Sequence, residues 1–317
     1  MKKTRHRLLT FSILITLSVA VIHIINKLIS ASANLKNLLK TKSGSFYTWR
    51  FGNIFYTKQG SGPPLLLVHD LTSSSSSEEW TRIVPALSQK YTVYTLDILG
   101  CGRSDKPKMT YTSFLYVQLL TDFVKNIIGQ RTDVIASGLS GSFTVMTCAN
   151  NDNTFGKIML VNPESLTSLS KSPSKQSTIA KYLLELPLLG TLVYNILVAK
   201  PNVELLFTEK YLYNPFQTEQ SMVNIYYEAA HLQRGNGKYL LSSIIGRYIN
   251  CNIAHGLKSI DNSIFIVGGE AKEGINETVA LYSSLNPSIE QEIIPATKHL
   301  PQHEAPEKLL ELIRIFF

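Results

Sequence analysis

Residues 133–142 read "DVIASGLSGS". Val134 to Ala136 make a short apolar run, and small residues follow where a chain must turn sharply before the helical stretch "FTVMTCANN". Strand, tight turn and helix in direct succession is the unit of a parallel sheet, because parallel neighbours need a crossover between them. The same unit recurs on both sides. "LLLVHD" (65–70), "YTVYTLD" (91–97), "KIMLVNP" (157–163) and "SIFIVGG" (263–269) read as strands, and the most apolar of them suit burial on both faces. Helical spacing separates them, in "EEWTRIVPALSQ" (Trp80, Ile83, Val84, Leu87) and "TSFLYVQLLTDFVKNII" (Leu115, Leu119, Phe123, Ile127). "SFYTWRFGNIFYTKQG" adds two antiparallel strands turning around Gly52 and Asn53, and "QEIIP" and "APEKLLELIRIFF" close the chain with a strand and a helix. The predicted class is α/β, a mostly parallel central sheet with helices on both faces.

Residues 164–262 show no strand pattern. "KYLLELPLLGTLVYNILVAKP" and "SMVNIYYEAAHL" are helical, so this insertion is expected to form a helical cap over the C-terminal edge of the sheet, where ligands of open α/β sheets bind. The core is then 44–163 together with 263–317.

The 317 residues carry a net charge of +8, which could suggest a nucleic-acid partner. Its distribution excludes that reading. Residues 1–42 hold eight basic residues and no acidic one, and the rest of the chain balances at 23 of each sign. The basic excess flanks an apolar run, "LLTFSILITLSVAVIHII" (Leu8–Ile25), which as a helix would be about 27 Å long. An uncleaved signal-anchor helix is expected. The competing reading is a cleaved signal peptide ending at "ASA" (Ala31–Ala33), but the run is longer than an ordinary signal core and Lys27 interrupts the approach. Four tightly spaced basic residues before the run lean towards an extracytoplasmic domain on a single-pass anchor. Cys101, Cys148 and Cys251 are scattered, without disulfide or metal spacing. No metal or cofactor is expected.

In order, these landmarks resemble the α/β-hydrolase family across residues 46–317. "LLLVHD" is similar to the family's strand ending in His-Gly, "LDILGCGRSDKP" to its Asp-x-x-Gly-x-Gly-x-Ser-Asp loop, and "KHLPQHEAPEKLLELI" to its closing histidine segment. "LPLLGTLVYNIL" resembles an epoxide-hydrolase-like or pheophytinase-like branch. The resemblance implies a nucleophile on a strained turn, a histidine base, an orienting carboxylate and backbone donors for an oxyanion. Carried onto this chain, Ser140 attacks, His299 is the base, Glu164 is the acid, and the N–H groups of Leu71 and Gly141 hold the oxyanion.

Two registers compete at the turn. Gly138-Leu139-Ser140-Gly141-Ser142 fits Gly-x-Ser-x-small and presents Ser140. Laid without gaps on the family pattern, the same stretch instead puts Gly138 at the nucleophile position. Asp70 stands where the family has glycine, and Lys272 where the usual acid sits, with Glu270 and Glu273 as further acid candidates. The first expectation is a membrane-anchored serine hydrolase acting on an ester or related bond of a small apolar substrate. The alternative is an inactive hydrolase fold that binds a ligand or a partner.

Overall fold

A computed structural model describes residues 2–40 and 43–317. Eight strands form one sheet: β1 (Gly44–Trp49), β2 (Gly52–Gln59), β3 (Pro64–Val68), β4 (Thr92–Leu96), β5 (Thr132–Ser137), β6 (Phe155–Val161), β7 (Ile264–Gly269) and β8 (Glu290–Ile294). Their spatial order is β1-β2-β4-β3-β5-β6-β7-β8, antiparallel from β1 to β4 and parallel from there on. Alternation along β3 shows why the central strands are apolar throughout. Leu65 and Leu67 pack with Trp80, Leu309 and Ile313 on one face, while Leu66 and Val68 join Tyr116, Phe123 and Phe143 on the other. A strand with two covered faces has no solvent side to make polar.

Three local expectations change. The first hairpin turns at Arg50 and Phe51, since Trp49 pairs with Gly52. The stretch 77–88 is not one helix. It breaks into a 3-10 turn (Ser77–Trp80) and a short α-turn (Val84–Leu87), where Pro85 can only occupy the first turn of a helix. The 113–128 helix is α-helical to Phe123, then widens over Val124–Ile128 and stops at Gly129, whose φ of 79° is left-handed.

Between Val161 and Ile264 the described residues form helices and no strand. The main ones are Lys175–Glu185, Leu189–Leu197, Gln220–Gly235 and Gly237–Ile245. The N-terminal helix runs from Lys2 to Ala33, and its Leu9–Ala33 part is apolar and long enough to cross a bilayer. Beyond Ala33 the chain passes into turns, with Asn37 in a left-handed conformation. Met1 and the linker positions 41 and 42 lie outside the described residues.

The N-terminal helix is fastened to the insertion. Asn26 donates to the Leu188 carbonyl (3.1 Å) and accepts from Asn195 (2.9 Å), and Ser30 and Asn34 both donate to the His231 carbonyl. Beyond it, the Leu38 and Leu39 N–H groups both donate to the Glu228 carboxylate.

Candidate functional site

Register builds the site. In the parallel β3–β5 pair Val68 lies opposite Ala136, so two residues further on Asp70 meets Gly138. Gly138 leaves β5 with φ of 54°, a left-handed conformation that glycine adopts without strain, and the helix Ser140–Asn150 starts two residues later. Gly138, not Ser140, is therefore the tip of the turn, as the second register expects. A Cβ placed on Gly138 would lie 2.1 Å from Asp70 Oδ1 and 2.3 Å from its Cγ. The Asp70 carboxylate fills the space that a side chain at the tip would use.

That carboxylate is held on both oxygens. Oδ1 accepts the N–H groups of Leu71 (2.7 Å) and Leu139 (2.8 Å), and Oδ2 lies 3.0 Å from His299 Nε2. Hydrogen bonds to an ionised acceptor are among the stronger ones. Burial opposes the Asp70 charge, but His299, the Leu139 N–H and the Lys272 charge outweigh it and hold the carboxyl below its usual range. His299 is placed by Asn162, whose amide donates to the Lys298 and His299 carbonyls (2.7 and 3.0 Å) and whose oxygen accepts the Gly269 N–H. The insertion closes the other side. Tyr211 accepts the His299 N–H through its carbonyl and stacks its ring on the imidazole, with centroids 4.9 Å apart.

Beneath Asp70 lies a second carboxyl. Glu79 is fully buried and accepts from the Asp70 N–H (3.1 Å) and from Gln302 (2.8 Å). Burial, reinforced by the Asp70 charge, pushes its pKa up to about 8, so the group is mostly neutral at pH 7. His69, adjoining Asp70 in sequence, is structural: Nε2 accepts the Ile98 N–H, so Nδ1 carries the proton and donates to the Asp70 carbonyl at 2.7 Å.

One strand over, Asp97 shows a different solution. It is fully buried at the end of β4 and accepts the N–H groups of Ser77 (2.7 Å) and Arg103 (2.8 Å) and the Arg103 guanidinium (Nε 2.7 Å). Burial opposes its charge too, yet Arg103 brings its pKa down to about 2. Gly102 is required there, since a Cβ would lie 2.3 Å from Asp97 Oδ2. The glycine-rich loop is thus a structural clasp.

The other expected site residues fall as follows. Ser140 is buried and its hydroxyl donates to the His69 carbonyl at 2.7 Å, pointing into the core. Its place one step into the helix turns it inward, so the geometry does not make it a nucleophile. Ser142 donates to the Leu139 carbonyl, and Ser137 is buried at the end of β5. Gly141 spends its N–H on the Gly138 carbonyl in the first helical turn; the second oxyanion-type donor is Leu139. The Leu71 N–H donates to Asp70 Oδ1, beside the Leu139 N–H.

Glu164 accepts from Tyr282 through its backbone carbonyl, and among the described residues no bond joins its carboxylate to His299. Glu270 receives the Ala296 N–H, and Glu273 is exposed. Lys272 donates to the Asn162 and Pro163 carbonyls, so a cation closes the place of the orienting acid. Among the described residues no cluster of three metal-ligating side chains occurs.

Sequence reasoning noticed Asp70 but not its bonds, and missed Leu139, Glu79, Asn162 and Tyr211. Leu139 could have been found, because it follows Gly138 in the gapless register. At the seam of core and insertion an open cleft of about 350 Å³ is lined by Arg82, Phe207, Phe216, Met222 and His303, among others.

A glycine-tipped elbow with two N–H donors facing a histidine defines a hydrolase-type scaffold. The model of the alpha/beta hydrolase fold family matches residues 63–306, and the chain belongs to that family. It is 31% identical over 117 residues to 2-hydroxy-6-oxo-6-(2'-aminophenyl)hexa-2,4-dienoic acid hydrolase of Metapseudomonas resinovorans, a match covering 34% of this chain and 40% of the relative. The chain spans well under half the length of the curated relatives it matches at this level. Among solved structures, an epoxide hydrolase without ligand superposes with a TM-score of 0.72 at 17% identity, covering 87% of this chain and 98% of that one. A membrane phospholipase A superposes with a TM-score of 0.68 at 18% identity, covering 100% and 98%.

Proposed function

We propose that the chain is a membrane-tethered hydrolase-fold protein that binds a small apolar ligand beneath its helical cap and performs no serine-type acyl transfer. One observation carries this reading. The Asp70 carboxylate accepts both N–H groups that an oxyanion would need and fills the space a nucleophile on Gly138 would occupy. A developing oxyanion there would face a resident negative charge. Lys272 in the acid position and Tyr211 on the His299 ring point the same way. The seam cleft is large enough for a small ligand and is partly apolar. The tether is supported by the apolar N-terminal helix, which falls within the part of the chain aligned with the membrane phospholipase A.

The test is fluorophosphonate labelling and turnover of short acyl esters by the full chain in membranes, with thermal shifts on adding apolar ligands. Expected are no covalent labelling, no turnover, and a raised melting temperature with a bound ligand, since binding to the native state alone stabilises it. Ester turnover abolished by His299→Ala would overturn the reading.

A second reading makes Asp70 itself the reactive group, favoured by the 3.0 Å contact of its Oδ2 with His299. Oδ2 would displace a leaving group from an electrophilic carbon, giving an Asp70 ester. Water deprotonated by His299 would then add at Cγ, and the alcohol would leave with the proton returned from His299, restoring the Asp70 carboxylate. The signature is one heavy oxygen retained in Asp70 after turnover in labelled water, and an unlabelled Asp70 after turnover would dismiss it.

A further inference from the structure

The helix Leu189–Leu197 is built inside out. Leu189 is 55% exposed, Val193 48%, Ile196 58% and Leu197 47%, a stripe at helical spacing that faces outward. The small and polar residues of the same helix, Gly190, Tyr194 and Asn195, face inward. Tyr194 donates to the Ala230 carbonyl at 2.7 Å, and Asn195 to Asn26. A helix on a water-facing surface has the reverse pattern. Leu183, Leu186 and Tyr182 extend the exposed patch across the corner, where the helix Lys175–Glu185 meets it at 103°. From Leu186 to Ala199 the sequence carries no charged residue, and Glu185 and Lys200 flank that stretch. A contiguous apolar patch of this kind marks a protein or membrane contact.

The neighbouring N-terminal helix decides between those partners. Its apolar run ends at Ile25, and Asn26, the next residue, bonds both Leu188 and Asn195. The exposed patch therefore lies level with the C-terminal part of the Leu9–Ala33 helix, where the uninterrupted apolar run ends. At nine residues the helix is about 13 Å long, too short to cross the hydrocarbon and suited to lying within one leaflet.

We infer that the corner Tyr182–Leu197 is a lipid-docking surface, which embeds in the acyl layer of the leaflet from which the N-terminal helix emerges. The inference rests on the membrane tether proposed above and adds a second contact to it. The insertion is then held in the bilayer surface itself, and its ligand can arrive from the lipid phase.

The experiment places single tryptophans in the full chain, reconstituted in phosphatidylcholine vesicles whose acyl chains are brominated. Trp49 and Trp80 are buried and supply the same background in every variant. Leu189→Trp and Ile196→Trp are expected to lose most of their added emission, as Leu14→Trp in the span does. Ile315→Trp, exposed on the C-terminal helix, keeps its emission. Melting in detergent confirms that each variant is folded, and outward-facing sites tolerate the change. If Leu14→Trp is quenched while Leu189→Trp behaves like Ile315→Trp, the docking surface is refuted and the tether stands; a second copy or a partner protein then covers the patch. If Leu14→Trp also escapes quenching, the tether fails and the inference falls with it.

Discussion

Asp70 and Asp97 stand just past the ends of neighbouring strands, both buried, both charged, and both bonded by backbone N–H groups. Their side-chain partners differ. Asp97 is gripped by Arg103, which keeps its charge at every accessible pH, and the pair is sealed under Phe55, whose ring lies 4.1 Å from the guanidinium carbon. Asp70 faces a histidine, with 12% of its side chain still reached by solvent. The first is a clasp. The second combines a histidine contact with a partly solvent-reached carboxylate, the feature on which the proposed function rests.

The sharpest way to break that contrast is to neutralise each aspartate. Asp97→Asn leaves Arg103 buried without its main counter-charge, and a loss of about 3–5 kcal/mol in urea denaturation is expected. Asp70→Asn keeps an oxygen for the Leu71 and Leu139 N–H groups and should cost only about 1 kcal/mol. Equal costs would erase the distinction.

Gly138→Ser should destabilise by about 2–3 kcal/mol, from the left-handed backbone and the collision with Asp70. Adding Asp70→Gly removes the collision, so the double variant should recover roughly 1–2 kcal/mol beyond additivity. Strict additivity in the denaturation cycle would show that the two positions do not compete for one space.

A smaller effect per unit comes from Glu79. Its carboxyl titrates near 4.5 when free and at about 8 in the fold, so the folded state favours the protonated form. That stabilisation is complete below pH 4.5 and is lost as pH rises to about 8, at roughly 1.4 kcal/mol per unit. Glu79→Gln should flatten the stability profile across this window, and a profile parallel to the wild type would mean the carboxyl is already ionised. Smallest is Ser140→Ala, which removes one buried hydrogen bond worth about 1 kcal/mol and should leave ligand-induced stabilisation unchanged.

The strands, their mostly parallel pairing and the position of the turn were legible in the sequence, because apolar runs and small-residue turns record local backbone demands. So was His299, from its flanking segment. The direction of side chains around the turn was not. Whether Ser140 or Gly138 forms the tip depends on a two-residue shift of register, and Gly-x-Ser-x-small fits only the register that the fold does not adopt. The Asp70–Gly138 meeting comes from the β3–β5 register, which joins segments almost seventy residues apart and leaves no local trace. Glu79 reads as an exposed helix-start acid in "SSEEW", and only the closed fold makes it a buried, neutral one.

The bonds from Asn26, Ser30 and Asn34 run to the helical insertion, not to the sheet. In a tethered molecule the insertion would thus be the part fixed next to the anchor, with the sheet joined to it through the chain that leaves β6 and enters β7. The seam cleft would then open close to the lipid surface, where the anchor holds the insertion.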